Sequence, residues 1–206
     1  MPTDRSVGMI AAMSNCEQPS EATDTVTRIL DAVMVLIRDG GLPAVTLSAV
    51  CRKAGLSKGG LMHHYPSKEA LVNAFLQRGG QEHLALIRQA IERHPAGLGN
   101  RLRAYVDLLV GESTTLQCDE DRDCAAVMMA LIQGGRDSDE VRKFYESLHQ
   151  MLSGDGVSDE FLELILATVD GVWLQSVIEP PETIGPRSER IRQNLRRLIA
   201  NEIAGK

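Results

Sequence analysis

Apolar residues recur at intervals of three and four along most of this chain, which is the pattern of amphipathic helices. The first run predicts a helix from Asp24 to Asp39, because Gly40 and Gly41 follow its last apolar position. Residues 1–23 have no periodic apolar face and are predicted to form a flexible tail. No segment alternates apolar and polar residues for long enough to predict a strand. The pattern therefore predicts an all-α protein with about nine helices.

Two short helices are predicted directly after the first one. Thr46 can cap the earlier of the two, and Gly55 ends it. Ser57 can cap the later one, which Pro66 keeps from extending beyond Tyr65. Two short helices separated by a turn of about three residues form a helix-turn-helix.

The second short helix, from Lys58 to His64, begins with the adjacent glycines Gly59 and Gly60. Each glycine costs roughly 1 kcal/mol of helix stability relative to alanine. This cost suggests a steric reason for the glycines. A helix whose N-terminal end has to approach base edges in a major groove would supply that reason.

The segment TLSAVCRKAGLSKGGLMHHYPSKEALV resembles the DNA-binding segment of the tetracycline-repressor (TetR) family of bacterial transcription regulators. Both have an alanine-glycine turn, a short recognition helix, an aromatic residue and a Lys-x-x-Leu entry to a long helix. The positions in register are Ala54, Gly55, Ser57, Gly59, Leu61, His64, Tyr65, Lys68 and Leu71. The chain departs from the family at Met62, where a tyrosine hydroxyl usually touches a DNA phosphate.

The resemblance implies a three-helix DNA-binding domain over residues 24–70 and a helical effector-binding and dimerisation domain over residues 71–206. It also implies binding to double-stranded operator DNA as a homodimer that forms through helices near residues 158–178 and 187–204. Lys68 is expected to touch a phosphate, and Lys58 a guanine edge or a phosphate. The DNA-binding residues carried over from the family are Thr46, Ser48, Ser57, Lys58, Gly59, Gly60, Met62, His63 and Lys68.

A long helix is predicted from the cap Ser67 to His94, followed by five more helices, among them 158–178 and 187–204. The pair Gly79-Gly80 in the long helix is a candidate bend, and we hypothesise that it transmits effector binding by a change of tilt. The resemblance places the pocket for an unknown small-molecule effector among the middle helices. The residues expected to line it are Tyr105, Leu109, Met128, Met129 and Trp173.

The net charge of −6 is divided unevenly along the chain. Between Asp24 and Gly80, seven basic and four acidic residues give a charge of +3, which leaves −9 for the rest. A basic N-terminal module on an acidic body can still attract phosphates, because salt confines the reach of each charge to about 8 Å.

Other classes of protein find little support in the sequence. It lacks an apolar run near 18 residues, a secretory signal and the motifs of common catalytic sites, so we expect a cytoplasmic protein that is not an enzyme and has no cofactor or metal. The four cysteines are expected to be reduced thiols, and a redox switch between Cys118 and Cys124 is an alternative. A further alternative is a helical dimer that acts through a protein partner without operator binding.

Overall fold

The computed structural model describes residues 21–111 and 139–205, and these residues form eight α-helices and no strand. The helices are α1 (Glu21–Ala44), α2 (Leu47–Ala54), α3 (Lys58–His64), α4 (Lys68–Arg93), α5 (Asn100–Leu109), α6 (Asp139–Leu152), α7 (Asp159–Ile178) and α8 (Pro181–Ala204). The predicted all-α fold is confirmed over the described ranges. Residues 1–20, the cysteines Cys118 and Cys124, and the helix predicted around Met128 and Met129 lie outside them.

The predicted helix starts are set by side-chain caps. The hydroxyl oxygens of Thr46, Ser57, Ser67 and Ser158 each accept a hydrogen bond from the backbone N–H three residues later, at 3.0–3.3 Å. Gly55 ends α2 in the left-handed conformation, with φ 67°, which a residue with a Cβ rarely adopts. These local signals, all readable in the sequence, fix the boundaries of the helix-turn-helix.

Two helix boundaries differ from the prediction. The first helix begins at Glu21 rather than Asp24, and its chain leaves the helical conformation at Gly40 and Gly41 as expected. The last helix begins at Pro181, not at residue 187. A proline in the first turn loses no helical hydrogen bond, because the N–H groups there have no intrahelical partner. Complete burial of Ile184 anchors this additional turn and a half.

The buried residues form two clusters that share α4. The first cluster joins α1, α2 and α3 to the N-terminal half of α4, and the second joins its C-terminal half to α5, α6, α7 and α8. Phe75 and Leu76 belong to the first cluster and Ile87 to the second. The helix α4 runs unbroken through Gly79 and Gly80 between them. It therefore connects the helix-turn-helix mechanically to the remaining described helices.

Among residues 21–111 and 139–205, no helix is both long and apolar enough to cross a membrane. The same residues contain no group of three or more His, Cys, Asp or Glu side chains that could hold a metal ion.

Candidate nucleic-acid interface and cavity

The helix α3 is held from one side and open on the other. Leu61 is fully buried in the first cluster, and Arg28 of α1 donates a hydrogen bond of 2.6 Å to the carbonyl oxygen of Ala54 at the end of α2. These contacts fix the helix-turn-helix on α1. The predicted DNA-binding residues lie at the starts of α2, α3 and α4 and, for Met62 and His63, near the end of α3. All are exposed except Gly60, which is half-buried: Thr46, Ser48, Ser57, Lys58, Gly59, Gly60, Met62, His63 and Lys68.

The cap residues Thr46 and Ser57 can serve a helix and a ligand at once. Their oxygens accept hydrogen bonds from Ala49 and Gly60 of the backbone, at 3.1 and 3.0 Å. A hydroxyl that accepts such a bond still has its own O–H to donate. The starts of α2 and α3 thus present exposed O–H donors suited to phosphate oxygens.

The glycines of α3 are not required by the folded chain. A Cβ placed on Gly59 would meet only the Ser57 Oγ, at 4.0 Å, and one on Gly60 would lie 3.4 Å from that same atom. Neither glycine has a positive φ. Both separations are ordinary contact distances, so alanine fits at each position. The space above this end of α3 is therefore left open by the protein itself.

The two lysines of the surface differ in their surroundings. Lys68 donates a hydrogen bond of 3.0 Å from its Nζ to the carbonyl oxygen of Leu42, which ties the start of α4 to the end of α1. An ammonium group has three N–H donors, so two stay available to a phosphate. Lys58 is exposed at the first position of α3. Both positive charges therefore remain accessible from outside.

The C-terminal end of α3 carries Met62, at the position where the family usually has a tyrosine, and two histidines. Met62 is 43% exposed, and His63 is exposed as well. His64 is half-buried and lies edge-on to His63, with ring centroids 5.5 Å apart. This arrangement favours a packing role for His64, whose imidazole stands between His63 and the half-buried Tyr65.

A cavity of about 440 Å³ lies between the two clusters. Its walls come from α1, α4, α5, α6 and α7. The apolar part of the lining consists of Met34, Val35, Leu76, Leu86, Leu109, Phe144, Leu148, Val169 and Trp173. A volume of this size is in the range of pockets that hold small molecules.

Three polar side chains meet at the wall formed by α5, α6 and α7. The hydroxyl of Tyr145 donates a hydrogen bond of 2.9 Å to the Oδ2 of Asp170. Tyr105, only 1% exposed, lines the cavity, and none of the described residues hydrogen-bonds its hydroxyl. Burial raises the pKa of Tyr105, and the nearby Asp170 raises it further, so the phenol keeps its proton. Burial also raises the pKa of Asp170, an effect that the Tyr145 hydrogen bond opposes.

One positive group of the lining is compensated by two neighbouring acids. Arg78 of α4 contacts the Asp31 carboxylate of α1 at 2.8 Å and that of Glu82 at 3.7 Å. Burial lowers the pKa of His83, which favours the neutral imidazole near neutral pH. Among the described residues, the lining contains four carboxylates and two guanidinium groups: Asp31, Glu82, Glu140, Asp170, Arg38 and Arg78. The described part of the lining therefore has an excess of negative charge.

The cavity meets the sequence-based expectation only in part. Tyr105, Leu109 and Trp173 line it, whereas Met128 and Met129 lie outside the described residues. Asp170 and its partner Tyr145 were not among the residues predicted for the pocket. A signal for Asp170 was available, because it is the single charged residue in the otherwise uncharged stretch 164–178.

One surface of α7 and α8 exposes large apolar side chains. Ile178 is 73% exposed and Leu164 57%, and Leu174 and Leu198 are exposed by more than two fifths. On α7 these residues fall at helical spacing along one stripe with the exposed residues 167 and 171. We call the side chains of Leu164, Leu174, Ile178 and Leu198 the apolar stripe. An apolar surface of this kind marks an interaction site.

Two family models match this chain. Residues 29–75 match "Bacterial regulatory proteins, tetR family", and residues 99–200 match "Tetracyclin repressor-like, C-terminal domain". The first match contains the helix-turn-helix, most of α1 and the start of α4, and the second contains α5, α6, α7 and most of α8. The chain belongs to the TetR family of bacterial regulatory proteins.

Curated relatives and solved structures agree with this membership. The chain is 37% identical over 73 residues to the HTH-type transcriptional regulator UidR of Escherichia coli K12. This match covers 35% of this chain and 37% of the length of UidR, so it spans little more than a third of that relative. It is 27% identical over 177 residues to the HTH-type transcriptional repressor KstR of Mycobacterium tuberculosis, covering 84% and 79% of the two chains. A transcriptional regulator structure from Pseudomonas aeruginosa PAO1 has the same fold, with a TM-score of 0.69, 20% identity and coverage of 88% and 93%.

Proposed function

We propose that this protein is a homodimeric transcription repressor that binds operator DNA through α3 and leaves the operator when a small molecule fills the cavity. The observation that carries the proposal is the open space above Gly59 and Gly60. Two adjacent helix glycines that the protein does not need leave room for a partner that approaches closely. A DNA major groove admits a helix in this way.

Contacts at the starts of three helices support the DNA-binding role. The exposed O–H groups of Thr46 and Ser57 and the Nζ of Lys68 are the phosphate donors in this proposal, and they set the register of α3 on the duplex. Lys58 and Met62 face outward from α3 and read the bases. Methionine has no donor, so its contact is apolar, such as one with a thymine methyl group. At this position the apolar contact of Met62 stands in place of the phosphate contact that a tyrosine hydroxyl usually makes in the family.

A dimer follows from the reach of one short helix. The seven residues of α3 contact too few bases for useful specificity, and helix-turn-helix proteins read two half-sites about 34–36 Å apart. In this proposal the apolar stripe on α7 and α8 forms the surface of that dimer, on the helices expected near 158–178 and 187–204. The dimer buries four large side chains that the single chain leaves exposed.

The position of the cavity explains how a ligand could release DNA. Met34 and Val35 of α1 line it, and α1 also carries the first cluster on which α3 is packed. A ligand there touches the support of the DNA-binding surface directly. Binding releases the operator if the ligand fits the DNA-free arrangement of α1 and α4 better than the DNA-bound one. We place the protein in the bacterial cytoplasm, where operator DNA is found, and assign it no catalytic role.

The test is capture of genomic DNA fragments by the purified protein, followed by footprinting of the retained DNA. A protected inverted repeat is the expected result. The control is the double variant Lys58→Ala, Lys68→Ala, whose circular dichroism should match that of the original protein. No enrichment over this control, in a folded sample without added ligand, contradicts operator binding and favours action through a protein partner.

A further inference from the structure

The Asp170 side chain is unusual among the carboxylates of the cavity. Asp31 has Arg78 at 2.8 Å, and Glu140 has the Lys143 ammonium at 2.7 Å. Asp170 accepts a hydrogen bond from the neutral Tyr145 hydroxyl, and none of the described residues places a positive charge beside it. Asp170 is half-buried, and a carboxylate that is partly removed from water without a cation beside it is destabilised. A positively charged ligand group would remove much of that cost.

The neighbourhood of Asp170 suits a cation with an apolar body. The rings of Phe144 and Trp173 and the side chain of Leu109 form apolar walls of the same cavity. The faces of aromatic rings attract cations as well as apolar groups. Tyr105, only 1% exposed as a residue, lines the same cavity, and its protonated hydroxyl can make one polar contact with a ligand.

The other charges of the lining do not favour an anion. Arg78 already contacts two carboxylates, and the imidazole of His83 is kept neutral by burial. In the described part of the lining, the excess of carboxylates over guanidinium groups repels a further negative charge. An anionic ligand at Arg78 would therefore have to compete with the Asp31 and Glu82 carboxylates.

We propose that the ligand of this cavity is an apolar molecule with one cationic group, and that the Asp170 carboxylate holds the cation. Tyr145 positions that carboxylate through its O–H, and the apolar walls hold the body of the ligand. The inference deepens the proposed function, because it rests on that function for the role of the ligand as effector. Binding itself is measured without DNA.

Two ions of nearly equal size and shape test the sign of the charge. Tetraphenylphosphonium is a lipophilic cation, and tetraphenylborate is its anionic counterpart. Trp173 is the single tryptophan of the sequence and lines the cavity, so its fluorescence reports binding of either ion. We expect saturable quenching by tetraphenylphosphonium with an affinity at least about tenfold higher than that of tetraphenylborate, because one close opposite charge in a partly buried site has an effect of that order. Equal or tighter binding of tetraphenylborate overturns the proposal.

Variants at position 170 then test whether Asp170 is the residue that holds the cation. Asp170→Asn keeps the size of the side chain and an acceptor for Tyr145, and it should abolish the preference for the cation, whereas Asp170→Glu should retain it. Glu163→Gln removes an exposed carboxylate from the same helix and is the matched control, with the preference unchanged. An Asp170→Asn protein that still prefers the cation tenfold overturns the assignment of Asp170. The comparison of the two ions on the original protein stands even if Asp170→Asn does not fold.

Failure of the inference and failure of the proposed function give different results. A protein that selects an operator yet binds tetraphenylborate as tightly as tetraphenylphosphonium overturns the inference alone. A protein that prefers the cation but selects no operator supports the inference and contradicts the proposed function.

Discussion

Replacement of Gly59 by alanine should move stability and operator binding in opposite directions. An added Cβ at Gly59 meets only the Ser57 Oγ, at 4.0 Å, and the residue is exposed in α3 with no positive φ. Alanine is therefore compatible with the helix, and a glycine-to-alanine change there stabilises it by up to about 1 kcal/mol. For a chain of this length, such a gain raises the melting temperature by roughly 2–4 °C.

The same methyl group should weaken DNA binding. If α3 enters a groove so closely that its glycines touch the DNA, the methyl overlaps atoms of a base or of the backbone. Overpacking of a close interface costs roughly 1–3 kcal/mol. This corresponds to an operator affinity that is about 5- to 150-fold lower, since each 1.4 kcal/mol is a factor of ten.

The assays are thermal unfolding and fluorescence anisotropy with a labelled duplex of the operator found by footprinting. Ser147→Ala is the control, because this exposed residue of α6 gains roughly 0.5 kcal/mol in helix propensity far along the chain from α3. It should raise stability and leave operator affinity unchanged. A Gly59→Ala protein that is more stable and binds the operator as tightly as before would refute the steric role of the glycine. A Gly59→Ala protein that is less stable than the original would contradict the conclusion that the space around Gly59 is open.

Three further changes test the phosphate contact, the dimer and the buried imidazole. Lys68→Ala should weaken binding to all DNA sequences alike and lower the salt slope of binding by about one unit per subunit, whereas a sequence-selective loss at unchanged slope would exclude the phosphate role. Ile178→Glu, at the most exposed position of the apolar stripe, should give a monomer in analytical ultracentrifugation. The control Leu98→Glu, at a position 63% exposed, should remain dimeric. If both variants are dimers, the dimer does not form through the apolar stripe. Burial lowers the pKa of His83 from its ordinary 6.5. As the pH falls, His83 is therefore protonated in the unfolded state before it is protonated in the folded state. The free energy of unfolding should then fall as the pH drops below about 6.5. Urea unfolding at pH 7.5 and 5.5 should show a smaller loss in His83→Gln, and an equal loss in both proteins would contradict this cause.

The helix-turn-helix was predictable because its signals are local. The oxygen of a cap residue such as Thr46 or Ser57 accepts from an N–H only three residues away, and Gly55 ends its helix through its own φ. The polar cluster of the cavity depends instead on residues 25 positions apart, since Tyr145 reaches Asp170 only after α6 and α7 pack. A charge on a helix is ordinarily a solvated one, and nothing in the spacing of the two residues points to their contact.

The hypothesis that Gly79 and Gly80 form a hinge has an alternative, which is that α4 transmits ligand binding through its packing against α6 at Gly80. A Cβ on Gly80 would lie 3.4 Å from the ring of Phe144, and that ring lines the cavity. This separation is an ordinary contact distance, so α4 packs against α6 at Gly80, and a Cβ there would touch Phe144 without displacing it. Because α4 also contributes Phe75 and Leu76 to the first cluster, a ligand that displaces Phe144 pushes on the helix that supports the DNA-binding surface.

Release in this form needs no bend at the glycines. It needs two arrangements of α4 and α6 that differ in cavity shape, with the ligand favouring one of them. Alanine at Gly80 adds a Cβ at an ordinary contact distance from Phe144, so under this explanation it should leave ligand-driven release of the operator unchanged, whereas a hinge at the glycines predicts impaired release. Operator release by Gly80→Ala, compared with that of the original protein, therefore separates the two explanations.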